Sequence, residues 1–372
     1  MKHIRSILSV ALLSAVLPLQ AEEEEVFEYQ VGDMNWLTGE GVVIGGVVTP
    51  MVFVVGTTGI FEEGASAGDF ATTEHDPQLD TVIQGIEIHL GLNFNDIITG
   101  DVSGFGHEGE EEEWEAELEE AFLHYHLTDN LAIGGGQFLN TVGFQNQRHL
   151  HGWEFVNQNL INSRLLNEGE LITQGGEILV KTPSNSGLLS LGFGGVSTHA
   201  HAHEEEEEHG EEEEEHHLEV DEAGFSDWVL SADYRFRLPF DPSAQLTASL
   251  LTGENGFGKH TLAYGVGLQK VWNGHDHGGG GEDFCTGAFM VTSEFLGRSV
   301  DALLEEEHHE EEGEDHGDEE GEEEEIVALD FSDFGFSTSF LYGLSDSVIL
   351  GLRHDWVSQV DEAELADTHR IC

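Results

Sequence analysis

The sequence predicts an all-β protein: an antiparallel transmembrane β-barrel with long, disordered, acidic and histidine-rich external loops. Three observations predict it. The chain opens on an export signal, its body alternates apolar and polar residues, and short turns alternate with long charged insertions.

The signal sets the compartment. Lys2, His3 and Arg5 make a positive n-region, Ser6 to Leu17 is an apolar stretch too short to span a bilayer, and Pro18 breaks it ahead of Ala21. Cleavage after Ala21 makes residues 1–21 a signal peptide and residues 22–40 an acidic N-terminal segment, with the barrel over 41–372. A barrel exported this way is expected in the bacterial outer membrane, with outer-membrane lipid as its surroundings. Gly41 to Ile60 carries no charge and also fits a membrane helix. Its glycines, β-branched residues and Pro50 argue instead for a strand starting near Pro50, with Met51 to Val55 as its body.

Alternation places the strands. In Trp228 to Arg237, Trp228, Leu230, Ala232, Tyr234 and Phe236 share one face, and Asp233, Arg235 and Arg237 share the other. Ala244 to Leu250, Leu262 to Leu268, Phe334 to Tyr342 and Val348 to Trp356 repeat the pattern. Segments of about ten residues suit a tilted membrane strand better than a soluble sandwich. Trp114, Trp228, Trp272 and Trp356 fall near segment ends, where interfacial girdles lie. Roughly eleven or twelve strands are expected. A bacterial barrel closes on an even number, and Thr368 to Cys372 reads as the start of another strand, so closing C-terminal strands are expected to be missing from the chain.

Four insertions break the rhythm, at 107–113, 199–219, 273–283 and 305–325. The second carries His199, His201, His203, His209, His216 and His217, the third His275 and His277, and the fourth His308, His309 and His316. Runs so charged cannot bury apolar surface and are expected to be disordered. As bland solvated loops they would only resist aggregation. Imidazole interleaved with carboxylate points further, to loosely bound divalent metal at several exchangeable sites. Zinc is the first expectation, with copper and nickel as alternatives, and no cofactor is required.

Charge and motifs exclude other classes. A net charge of −63 with 12 Lys and Arg rules out a nucleic-acid partner and makes divalent cations the expected one. Cys285, placed inside a strand, and Cys372 cannot build a disulfide framework. Gly134 to Gly136, read as a strand end, has no following helix to make a phosphate loop. No catalytic signature emerges, so no enzymatic activity is expected.

The block Glu115 to Gly143, followed by Phe144 to Val156 with His149, His151, Trp153 and Glu154, carries a family resemblance. It resembles proteobacterial outer-membrane porin-like barrels related to zinc-regulated TonB-associated proteins, which have an acidic strand, a glycine-rich strand and a His-x-Trp-Asp-Phe-Val segment. Glu154 stands where that family has Asp. Thr49 to Gly56 resembles its first strand, and Leu352 to Val357 and Thr368 to Ile371 its late strands. The resemblance implies an outer-membrane barrel tied to metal supply, with histidine-rich external loops and no catalytic residues. His149, His151 and Trp153 are expected in an ordered loop folded into the pore, ahead of direct metal ligation, and Asp233, Arg235 and Arg237 to line the lumen. The chain is too short for a plug domain and a 22-stranded receptor barrel. The expected function is a porin-like protein that binds divalent metal at its loops and supports metal or small-solute uptake. The alternative is a non-conducting metal-binding surface protein, or a co-receptor that hands metal to a TonB-dependent transporter.

Overall fold

A computed structural model describes residues 25–31, 42–57, 80–94, 97–108, 114–182, 187–197, 220–276, 282–283, 285–306, 325–345, 348–360 and 368–372. In chain order the strands are β1 (Glu25–Val31), β2 (Val42–Thr57), β3 (Asp80–Phe94), β4 (Ile98–Glu108), β5 (Trp114–Thr128), β6 (Leu131–Leu139), β7 (Ile172–Lys181), β8 (Gly187–Ser197) and β9 (Phe225–Leu238). They continue as β10 (Asp241–Asn255), β11 (His260–Trp272), β12 (His275–Asp276), β13 (Glu282–Asp283), β14 (Phe289–Glu306), β15 (Glu325–Ser345), β16 (Val348–Val357) and β17 (Thr368–Ile371). Fifteen of them form one antiparallel sheet in which each strand pairs with its neighbours in chain order, while β12 and β13 form a separate ribbon.

The alternation is inside out relative to a soluble protein. On β11, Leu262, Tyr264, Val266 and Leu268 face outward, with Val266 59% exposed, while Thr261 and Ala263 are buried. On β15, Phe334, Phe336, Phe340 and Tyr342 face outward, and Asp333, Ser337 and Ser339 are buried. A water-facing sheet would reverse this assignment. An exposed apolar band over a polar interior is the wall of a transmembrane barrel. No helix among the described residues is long and apolar enough to cross a membrane.

Residues 140–171, between β6 and β7, fill the interior. Their one helix, α1 (Leu160–Leu165), is capped by Asn159, whose side chain accepts from the Asn162 amide at 2.9 Å. Leu160, Ile161, Leu165, Leu166 and Leu171 pack with Phe225, Leu251, Leu296 and Val357 from the wall. The same segment proves the curl of the sheet. Gln84 on β3 donates to the Val156 carbonyl at 2.6 Å, and Arg353 on β16 donates to the next carbonyl, Asn157, at 2.8 Å. Flat, with strands about 4.8 Å apart, β3 and β16 would lie roughly 50 Å from each other. The sheet therefore wraps around the insert.

Several expectations need correction. The sheet holds more strands than expected, because glycine-rich β6 and β8 and glutamate-rich β5 show little apolar alternation. The acidic segment 22–40 contains a paired strand, β1. Pro50 lies mid-strand rather than at a start, opposite Ile88. The β1 ladder stops at Val48, so β2 is an edge on that side, where proline is tolerated. Gly134 to Gly136 is the middle of β6, not its end. Cys285 precedes β14 in a turn, its carbonyl accepting from the Ala288 amide at 2.9 Å, and both cysteines are free.

Antiparallel order also sets strand direction. β3, β5, β9 and β15 run toward one end, and β2, β6, β8 and β14 toward the other. β11 ends, and β14 begins, at the end toward which β3, β5, β9 and β15 run.

Candidate functional site in the lumen

Four elements, β3, β4, β5 and the insert, converge on a cluster of histidines and carboxylates. On β3, Ile86 and Ile88 point outward, which turns Glu87 and His89 inward. On β5, the register against β4 jumps so that Ser103 pairs with Glu120 and Gly104 with Leu118. Glu119 is the extra residue of this β-bulge, which lets two successive carboxylates, Glu119 and Glu120, face the lumen. The insert supplies His149, at the N-cap position of a 3-10 turn over Leu150–Gly152, and His151, within that turn.

The side chains interlock. Glu120 Oε2 lies 2.7 Å from His149 Nε2, and Ser103 Oγ lies 3.4 Å from the same nitrogen. His149 Nδ1 is 3.3 Å from Glu119 Oε2, within ion-pair reach but outside hydrogen-bond geometry. His151 Nδ1 sits 2.7 Å from Glu87 Oε1, and His89 Nε2 sits 2.9 Å from Asp101 Oδ1. The His149 and His151 rings stack at 5.9 Å, with His89 edge-on to both. Burial works against charge on His149, but Glu119 and Glu120 outweigh it and push its pKa up to about 11. Glu87, Glu119 and His149 each present a ligand atom within 4.8 Å of the others'.

A second polar region lies across the lumen. Arg148 pairs with Glu154 at 3.0 Å, and Glu154 accepts from Ser339 of β15 at 2.8 Å. Arg353 bonds Asp355 at 2.9 Å and reaches both Asn157 and Gln158 carbonyls at 2.8 Å. A polar pocket opens between Arg148, Glu154, Thr292, Glu294, Ser337 and Arg353.

The sequence candidates divide accordingly. Asp233 lines the interior, accepting from Thr247 at 2.7 Å and Ser249 at 2.6 Å. Arg235 donates to the Gly143 carbonyl at 2.7 Å and so clamps the insert rather than standing free in the pore. Arg237 lies on the same face of β9, partly buried. Trp153 donates its indole N–H to the Arg148 carbonyl at 2.8 Å, which stiffens the turn that presents His149. His199, His201, His203, His209, His216, His217, His277, His308, His309 and His316 lie outside the described residues, and His275 is described only as backbone of β12. Glu87, His89, Asp101, Glu119 and Glu120 were not anticipated. Glu87 and His89 carried a signal in the Ile-Glu-Ile-His alternation of residues 86–89.

No family model matches the chain, and no curated protein sequence matches it. No comparison supports the expected relation to zinc-regulated TonB-associated barrels. Among solved structures, the chain is similar to a loop-deleted variant of OmpT, an outer-membrane protein of Vibrio cholerae, at TM-score 0.36 and 8% identity, over 88% of this chain and 96% of that one. It is also similar to OprB of Pseudomonas putida, at TM-score 0.36 and 6% identity, over 89% of this chain and 86% of that one. The expectation of no enzymatic activity is withdrawn, because a missing catalytic motif is no statement about activity.

Proposed function

We propose that the chain is a porin-like outer-membrane channel whose bore is set by the inserted segment 140–171. The observation that carries this reading is the insert itself, held by hydrogen bonds to strands as far apart as β3 and β16. An ordered segment laid across a polar-lined barrel narrows the passage and sets which solutes fit. The excess of carboxylate, 75 Asp and Glu against 12 Lys and Arg, supports selection for cations, whose local concentration it raises. In this reading the histidine-rich insertions gather divalent metal, zinc first, and the channel supports metal or small-solute uptake.

Purified full-length protein in planar bilayers should open discrete, cation-selective conductance steps. Absence of conductance at every voltage overturns the channel. A second reading has its own observation: the insert carries a buried apolar cluster, which suits a filled barrel. In that case the chain is a non-conducting metal-binding surface protein, or a co-receptor for a TonB-dependent transporter. Zinc titration of the intact chain and of a variant lacking 204–217 and 305–316 tests the loops; equal binding by both removes them as metal sites.

A further inference from the structure

We propose that Glu87, Glu119 and His149 form a buried site for a divalent first-row transition cation inside the barrel, separate from the histidine-rich insertions.

The unsatisfied atoms carry the inference. Glu87 Oε2, Glu119 Oε2 and His149 Nδ1 are each buried and each lack a hydrogen-bond partner. They belong to the three residues whose donor atoms gather within 4.8 Å. Glu87 is 0% and Glu119 1% exposed, so water outside the barrel does not solvate them. Buried carboxylate oxygens are ordinarily hydrogen-bonded. A cation at the point they share would satisfy all three.

The remaining atoms of the cluster are arranged as a support for such an ion. Glu120 holds His149 Nε2 at 2.7 Å, which fixes the ring with Nδ1 toward Glu119. This is the carboxylate–histidine–metal relay that raises ligand basicity and sets the tautomer. His151 holds Glu87 Oε1 at 2.7 Å and leaves Oε2 as the free oxygen. The described ion pairs of Glu87, Glu119 and Glu120 are to histidines alone. Metal entry at Nδ1 displaces the imidazolium proton to solvent, and the ion takes over the charge compensation. One imidazole with two carboxylates suits zinc, manganese, cobalt or nickel, and the nitrogen donor disfavours calcium. Three protein ligands would leave a position for water.

The test uses the full chain in detergent micelles with Zn²⁺ or Mn²⁺ alone, and it holds whether or not the barrel conducts. Calorimetry should resolve one tight equivalent above the weaker background of the insertions. Glu119→Gln or His149→Gln should weaken that step at least about tenfold, and Glu120→Gln, which repositions the ring, about ten- to a hundredfold. His201→Gln with His203→Gln should leave it unchanged. An unaltered step in Glu119→Gln and His149→Gln overturns the site. Zinc-edge X-ray absorption of the wild-type protein with one equivalent bound gives a decision free of any folding defect. A single imidazole with oxygen ligands at about 2.0–2.2 Å supports the proposal, whereas two or more imidazoles place the ion elsewhere and overturn it.

Discussion

A Cβ built on Gly335 would meet Ile161 Cγ2 at 2.7 Å and the Trp356 carbonyl oxygen at 2.5 Å. The backbone of β15 approaches α1 that closely because nothing but hydrogen fills the gap. Gly335→Val should cost about 1–3 kcal/mol by overpacking, read as a lower urea midpoint for the micelle-bound protein. Arg353 makes the opposite kind of contact, polar and long-ranged. Replacing it with Leu strands the Asn157 carbonyl and leaves Arg370 as the remaining cation on Asp355 and the remaining donor to the Gln158 carbonyl. A loss of about 1–3 kcal/mol is expected in the same unfolding measurement. Residue-level legibility follows the regularity of the backbone. Glu87 and His89 were within reach of the sequence, because strict alternation around Ile86 and Ile88 turns them inward. Glu119 and Glu120 were not, since alternation puts successive residues on opposite faces and only the bulge brings both inside.

Among the elements, β11 is the plainest membrane strand, polar or small inside and apolar outside at every described position from Thr261 to Leu268. Val266 stands near its middle and is 59% exposed, which places it toward the bilayer midplane. Val266→Arg should destabilise the inserted barrel by about 2–4 kcal/mol in a vesicle-folding equilibrium. Strands of this kind were visible in the sequence from their period alone. β6 was misplaced because its triple glycine has no side chains to alternate. Gly136, at φ +141°, sits where a Cβ would run into the Ala121 carbonyl, so the requirement there is close approach of β5 rather than a turn. β1 was hidden by the glutamates around it, and its pairing with β2 is set by β2's apolar run.

For the molecule as a whole, a charge of −63 sets the long-range field. If conduction is shaped by that field, cation-over-anion selectivity should decline as salt rises from 0.01 M to 1 M, where the screening length falls from about 30 Å to about 3 Å. Reversal potentials across asymmetric salt measure it, and salt-independent selectivity would assign the effect to groups at the constriction instead. The barrel class was legible from segment length, aromatics near segment ends and short turns alternating with long charged insertions. The alternation alone suits a soluble sandwich as well. The insert's role was legible only as an inward fold; which wall groups it meets depends on closure that no local pattern encodes.

The bond from Arg353 to Asn157 spans 196 residues of chain. Folding therefore has an order built into it. The insert leaves β6 and returns at β7 early in the sequence, yet its docking partners on β14 to β16 do not exist as a surface until the late strands pair. Contacts so distant in sequence form late and slow the final step. In pulsed hydrogen exchange during refolding, the β9–β10 amides should gain protection before the Asn162 and Leu166 amides of the insert, with assembly ending when the wall closes on a segment made long before.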